Sequence, residues 1–430
     1  MPSSRRALLL ASLAVVALTV GIGLLAATAP PSGVAADGGP ADDNASVPDA
    51  AISRLHETGY TGDGVSVGVV DVTGFRTDHP ALRSTVAATR SFGDGDARRM
   101  GHGTAAAAVA ARVAPDADLY LASFDDAAGY RAAVEWLADE DVDVIVTPVS
   151  FFGRPGDGSA PVSRAATDAV QRGSVFVAPA GNVAGGHWTG RYDRVADGRL
   201  RFAGGTRNYL QGGAGRVRAW LSWRGSGGAY ALELYRTDGR RSELVARSTP
   251  VDGVPRTQRL AVRTDPGTHY LVVRGPSNAT GDRLRLTSPT SRFQFGDAAG
   301  SVVAPATAQG VLAVGAYDRD ARRIQPFSAR GPTRDGRLGL DVVAPDDTAA
   351  VGVEADVVGT SVAAPYAAGV AALALDADPG LTPRAVETRL EASATDVGPP
   401  GVDSAAGYGL VAPLRAVPPR NASATGTNES

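Results

Sequence analysis

The chain has 430 residues, 43% of them hydrophobic, and a formal net charge of -3. That length allows two or three domains of roughly 100–200 residues each, and the near-balanced charge gives no reason to expect nucleic acid or an acidic membrane surface as a partner. There are no cysteines, which excludes disulfides, thiolate metal sites and a cysteine nucleophile, while 53 glycines and 28 prolines favour a fold rich in loops and turns.

At the N-terminus, Ser4-Arg5-Arg6 precedes an almost unbroken apolar run from Ala7 to Thr28. Paired arginines before such a run match an export signal of the twin-arginine kind. Ala27-Thr28-Ala29 offers an A-x-A cleavage site, although Pro30 would follow the cut. The run is also long enough, at about 20 residues, to span a bilayer uncleaved. Residues 1–29 therefore read as a signal peptide or an N-terminal membrane anchor. The expected location is outside the cell or on the outer face of its membrane. Residues 30–50, rich in Gly, Pro, Ala and Asp, read as a disordered linker.

A helix is expected over Ala51–Thr58, then a turn at Gly62-Asp63-Gly64. Val65–Val70 follows, an apolar and β-branched run of the kind buried on both faces of a parallel sheet. Leu119–Phe124, Val142–Val146, Val175–Ala178, Val311–Val314 and Leu340–Val343 repeat the pattern, with helical stretches at Thr104–Arg112, Tyr130–Asp139 and Val162–Arg172. This alternation predicts a doubly wound α/β sheet. It breaks between His187 and Asp297, where half-buried runs such as Val217–Trp223, Tyr230–Tyr235 and Thr268–Arg274 are separated by Asp238-Gly239 and Asp265-Pro266-Gly267. That stretch reads as an inserted β-sandwich or jelly roll. The expected organisation is α/β over 51–186 and 298–415, the insert over 187–297, and a fraying polar tail over 416–430.

Four residues stand where chemistry is expected. Asp71 ends the first buried strand, where open α/β sheets bind ligands; a carboxylate there can orient and charge-stabilise a histidine. His102, in Gly101-His102-Gly103-Thr104, opens the alanine-rich helix Ala105–Ala111 and offers a general base. Asn182, in Ala178-Pro179-Ala180-Gly181-Asn182, follows a strand and can donate to a developing oxyanion. Ser361 lies in Gly359-Thr360-Ser361-Val362-Ala363-Ala364-Pro365 before the small-residue helix Tyr366–Leu375, close to the positive end of a helix dipole. Taken singly, each has a plainer reading: a turn aspartate, a helix-start histidine, a turn asparagine and a serine N-cap.

Together they run Asp, His, Asn, Ser, and the local strings resemble the subtilase family. These include Asp78-His79-Pro80-Ala81-Leu82 and Val113-Ala114-Pro115-Asp116-Ala117 beside the four motifs above. The resemblance covers residues 50–186 and 298–415. It implies a subtilisin-like fold and a serine endopeptidase in which Ser361 attacks, His102 moves the proton, Asp71 orients His102, and Asn182 with the Ser361 N–H binds the oxyanion. It assigns His79 a structural role. Protein or peptide substrates, a monomer and no cofactor for the chemistry are expected, with calcium as a structural ion for which no spacing identifies ligands. The rival reading is an exported, catalytically inactive binding protein on the same scaffold. An esterase is disfavoured because no G-x-S-x-G elbow frames Ser361.

The sequence departs from the family pattern in places. The aspartate motif, Asp71-Val72-Thr73-Gly74-Phe75, has one extra residue. Ala105 replaces the family's second histidine, and Pro148 enters the substrate-strand region Val146–Gly153, where it can accept but not donate a backbone hydrogen bond. The linker is too short for the usual folded propeptide. The insert separates Asn182 from the serine half of the site, and His187-Trp188 resembles the junction in subtilases carrying such an insert. Asn44, Asn278, Asn421 and Asn428 head glycosylation sequons.

Overall fold

The computed structural model describes residues 48–93, 101–212, 215–225, 227–347 and 358–417. The expected signal or anchor, residues 30–47 of the expected linker, most of the polar tail and the sequons at Asn44, Asn421 and Asn428 lie outside these residues, while residues 48–50 of that linker instead begin a helix. Asn278 lies inside them and is exposed.

An eight-stranded sheet forms the centre. In chain order its first strands are β1 (Ser66–Asp71), β2 (Val86–Phe92), β3 (Asp118–Phe124), β4 (Val144–Val146) and β5 (Val175–Pro179), joined later by Val311–Asp318, Arg323–Ile324 and Val342–Pro345. Across the sheet the order runs β2, β3, β1, β4, β5, Val311–Asp318, and these strands pair parallel throughout. Only the short edge strand Arg323–Ile324 runs antiparallel. The chain winds outward from β1 to one side, then crosses to β4 on the other. The switch point is therefore the carboxyl end of β1, where crevices open in such sheets. Asp71 is the last residue of β1.

The apolar runs become strands because both of their faces are covered. Val67, Val69, Leu119, Leu121, Val144 and Val146 face one layer, made of α1 (Pro48–Glu57), α2 (His102–Val113) and, later in the chain, Thr360–Ala377. Val70, Phe124, Ile145 and Phe176 face the other, made of α3 (Ala127–Asp139) and α4 (Pro161–Gln171). The Thr360–Ala377 helix is α5; α6 (Pro383–Ser393) and α7 (Pro413–Ala416) complete the chain. β2 and α6 escape the sequence reading. β2 is an edge strand whose residues stay largely exposed, so its sequence lacks a continuous apolar run. The expected tail begins too early, since Ala416 and Val417 are still buried in the first core.

Between His187 and Phe293 the chain leaves the central sheet and forms two antiparallel sheets. One orders Thr249–Pro250, Thr257–Arg263, Arg216–Arg224, Arg283–Thr287 and His187–Arg191; the other is built on Ser242–Arg247, Ala231–Thr237 and Thr268–Arg274. Residues of both, among them Leu221, Leu260, Leu284, Leu232, Leu271 and Val273, share a separate hydrophobic core. The insert is thus a β-sandwich. Asp238-Gly239 closes a hairpin between Ala231–Thr237 and Ser242–Arg247, with Gly239 at φ 91°.

α2 and α5 lie side by side, and both are rich in buried alanine and glycine. A Cβ at Gly369 of α5 would stand 2.5 Å from Val113 Cβ and 3.3 Å from the Ala110 carbonyl of α2. Small residues here let the two backbones approach, which sets the separation of their N-termini. Gly369→Val should force the helices apart, lowering stability by about 1–3 kcal/mol as overpacking does. Denaturant unfolding would measure it, and an unchanged midpoint would refute the close contact.

Candidate active site

The N-termini of α2 and α5 converge on the carboxyl end of β1. Asp71 is fully buried and receives three hydrogen bonds from two residues. Its Oδ1 accepts from the Thr73 N–H at 2.7 Å and the Thr73 hydroxyl at 2.6 Å. Its Oδ2 pairs with His102 Nδ1 at 2.7 Å. The lengthened motif is therefore accommodated: the chain bends back so that Thr73, two residues on, saturates the carboxylate. The Thr73 hydroxyl also accepts from the Gly103 N–H at 2.9 Å, tying the aspartate turn to the start of α2. Gly103 has to be glycine, because a Cβ there would collide with the Gly74 carbonyl and come 3.0 Å from Asp71 Cβ. The glycines flanking His102 already suggest a close backbone approach, whereas sequence alone gives Thr73 no role; its signal was a hydroxyl two residues after the carboxylate.

His102 is the first residue of α2. Because Asp71 accepts at Nδ1, the neutral ring carries its proton there and leaves Nε2 as the acceptor, 3.0 Å from Ser361 Oγ. Burial by itself pushes the imidazole down, but the charge of Asp71 and its hydrogen bond together outweigh that and hold His102 above its ordinary value.

Ser361 is the second residue of α5, not its N-cap; Gly359 occupies that position. In the first turn, Val362 and Ala363 N–H donate to the Gly359 carbonyl, at 2.9 and 3.2 Å, and Thr360 N–H donates to Asn182 Oδ1 at 3.0 Å. Among the described residues the Ser361 N–H has no such partner, as is usual for the first N–H groups of a helix. Pro365 lacks an N–H and removes the helical bond that would otherwise end on the Ser361 carbonyl.

Asn182 follows β5 and is held by the residue preceding the serine. Its Oδ1 accepts from both the Thr360 N–H and the Thr360 hydroxyl, the latter at 2.8 Å. A backbone N–H can only donate, which fixes the amide orientation and leaves Nδ2 as a donor with no partner among the described residues. Nδ2 lies against Gly359, where a Cβ would stand 2.6 Å away. Gly359 also has φ 156°. All four residues singled out in the sequence thus meet at one place. His79 does not join them: its Nδ1 accepts from the Ala81 N–H at 3.2 Å within its own turn. Ala105 is buried inside α2.

Among the described residues, the carboxylates close enough together to hold a metal ion are Asp341, Glu387 and Glu391. They do not fit calcium. Arg384 pairs with Glu387 at 2.7 Å and Glu391 at 3.8 Å, Asp341 already accepts from the Ala313 N–H, and burial pushes Asp341 up to about 7. A guanidinium thus already supplies the positive charge, and calcium takes more oxygen ligands than this group offers.

The His102 geometry has a direct check. Imidazole titration followed by nitrogen NMR should place His102 above 6.5. In Asp71→Asn, where burial acts without the opposing charge, it should fall below 6.5. A titration that ignores Asp71→Asn would refute the pairing.

Comparison with known proteins agrees with this arrangement. The sequence model of the Subtilase family matches residues 62–212 and 251–409. The chain is 37% identical over 119 residues to the "Halolysin-like extracellular serine protease Nep" of Natrialba magadii, a match spanning 27% of this chain and 20% of that relative's length. The solved structure of the Clostridium perfringens CspB protease superposes with a TM-score of 0.63 at 20% identity, over 86% of this chain and 96% of that one. At that identity the likeness concerns the fold. With a family match across most of its length, and with its Asp, His, Asn and Ser gathered at the switch point of a doubly wound sheet, this chain belongs to the subtilase family.

Proposed function

We propose that this protein is an exported serine endopeptidase that hydrolyses peptide bonds of protein substrates through an acyl-enzyme on Ser361. The observation that carries the reading is the unbroken hydrogen-bonded line from Asp71 through both nitrogens of His102 to Ser361 Oγ, at 2.7 and 3.0 Å. His102 Nε2 takes the proton as Ser361 Oγ attacks the carbonyl carbon. Asp71 keeps the ring in this tautomer and stabilises the imidazolium that forms. Asn182 Nδ2 and the Ser361 N–H both face the negative charge that develops on the carbonyl oxygen. His102 then protonates the leaving amine, and water reverses the sequence on the ester. The side chains and water supply this chemistry without a cofactor. The Ser4-Arg5-Arg6 signal and the extracellular label of the Natrialba magadii relative support action outside the cell. The segment Ala7–Thr28 would either direct export or hold the enzyme at the membrane.

A serine-directed fluorophosphonate should label the wild type and not Ser361→Ala. In a casein or peptide assay, Ser361→Ala or His102→Ala should cost about 10⁶-fold in kcat and Asp71→Ala about 10⁴-fold, magnitudes carried over from subtilisin itself. A folded wild type that takes no label would overturn the peptidase reading in favour of a binding protein on the same scaffold. Gly359→Ala should displace Asn182 and lower kcat by about 10²–10³-fold, as loss of one oxyanion donor does in subtilisin. Wild-type turnover in that variant would remove Asn182 from the oxyanion site.

A further inference from the structure

The inserted sandwich carries a buried cation that faces the catalytic unit. In the strand Arg283–Thr287, Leu284 and Leu286 point into the sandwich core, so Arg285 points the other way, towards the central sheet. Arg285 is 5% exposed, and none of the ion pairs among the described residues includes it. A guanidinium taken out of water without a carboxylate is costly, so the acceptors that it finds matter. It donates from Nε to His187 Nε2 at 3.1 Å and from a terminal nitrogen to the Val302 carbonyl at 2.8 Å. His187 donates its Nδ1 proton to the Asp297 carbonyl at 2.7 Å. Burial, and then the charge of Arg285, push His187 down to about 3, so the ring stays neutral and its two nitrogens keep these roles.

Both acceptors of Arg285 belong to the frame around Asn182. His187 lies five residues after Asn182 and starts the insert. Val302 opens the segment 302–304, which lies between two walls of the catalytic unit. On one side the Val303 N–H donates to the Ala180 carbonyl at 3.0 Å, and on the other the Ala304 carbonyl accepts from the Phe151 N–H at 2.8 Å. The Val303 side chain packs on Gly181, where a Cβ would stand 2.7 Å from Val303 Cγ2. Arg285 thus grips the loop 180–187 from beyond its far end and, through Val302 and Val303, from beneath Gly181.

We propose that Arg285, acting with His187, is a positioning residue for Asn182, and that the inserted sandwich serves catalysis by bracing the oxyanion loop. The proposal rests on the reading of Asn182 as the oxyanion donor. A binding module tethered to the protease would need no such grip.

The test is steady-state hydrolysis of a chromogenic peptide amide by the full-length protein, comparing wild type, Arg285→Met, Arg285→Lys, Asn182→Ala and the two double variants. Arg285→Met should lower kcat by about 10²-fold, the scale on which a small misplacement acts, with KM little changed. Arg285→Lys keeps the charge but lacks the fork that spans both acceptors, and should lose kcat in the same direction. In the Asn182→Ala background neither change should cost further turnover, because the group that they position is gone. Two results would overturn the proposal: wild-type kcat in a folded Arg285 variant, or the same fold-loss in both backgrounds. Should Arg285→Met fail to fold, Arg285→Lys carries the same comparison. Failure of the peptidase reading would show differently, as a wild type no more active than Ser361→Ala, and the proposal would fall with it.

Discussion

The buried carboxylate of Asp71 is the constraint on which the rest of the site depends. It has no contact with water, and an ion in that position costs several kcal/mol unless its lone pairs are filled. Thr73 fills one oxygen twice and His102 fills the other. Meeting that demand fixes the turn after β1, requires the start of α2 to press against the turn at Gly103, and leaves His102 one orientation. The same charge that needs His102 also sets its proton affinity, against the opposing pull of burial. Structure and chemistry at this point are one electrostatic arrangement.

The serine half is fixed by packing. α5 is buried along nearly its whole length and lies against the alanine face of α2. Neither helix can slide without filling or opening space in a core packed at the density of a crystal. The 3.0 Å contact between His102 and Ser361 is thus held chiefly by the packed helix pair behind it. Thr360 adds a second tie, reaching from the first turn of α5 to the amide of Asn182.

The insert enters the chain five residues after Asn182, and its sheet does more than lengthen the molecule. The Trp220 and Phe152 rings pack tilted with centroids 5.1 Å apart, Thr257 donates its hydroxyl proton to the Gly153 carbonyl, and Arg224 pairs with Asp157. These contacts, like those of Arg285, fall on segments that border the site. The same edge carries Pro148, and the Thr147 N–H is already committed to the Val177 carbonyl at 3.1 Å. The wall beside the loop that carries Asn182 is therefore shaped jointly by the two units.

The sequence by itself determined the buried strands of the parallel sheet, the helices between them and the four candidate site residues. Runs such as Val65–Val70 and Val175–Ala178 are apolar on both faces, and only a sheet covered on both sides can bury them. His102, Asn182 and Ser361 stand in short local strings whose chemistry is readable without neighbours. Tertiary structure alone decided the rest. The fate of the lengthened aspartate motif depended on where Thr73 points, the orientation of the Asn182 amide on a threonine 178 residues away, and the contact of the buried Arg285 on a histidine 98 residues away. β2 and α6 were illegible because their exposed or mixed patterns carry little periodic signal. Local periodicity records which face of an element is buried. It does not record which distant donor meets which acceptor, because that is set when layers far apart in the chain pack together.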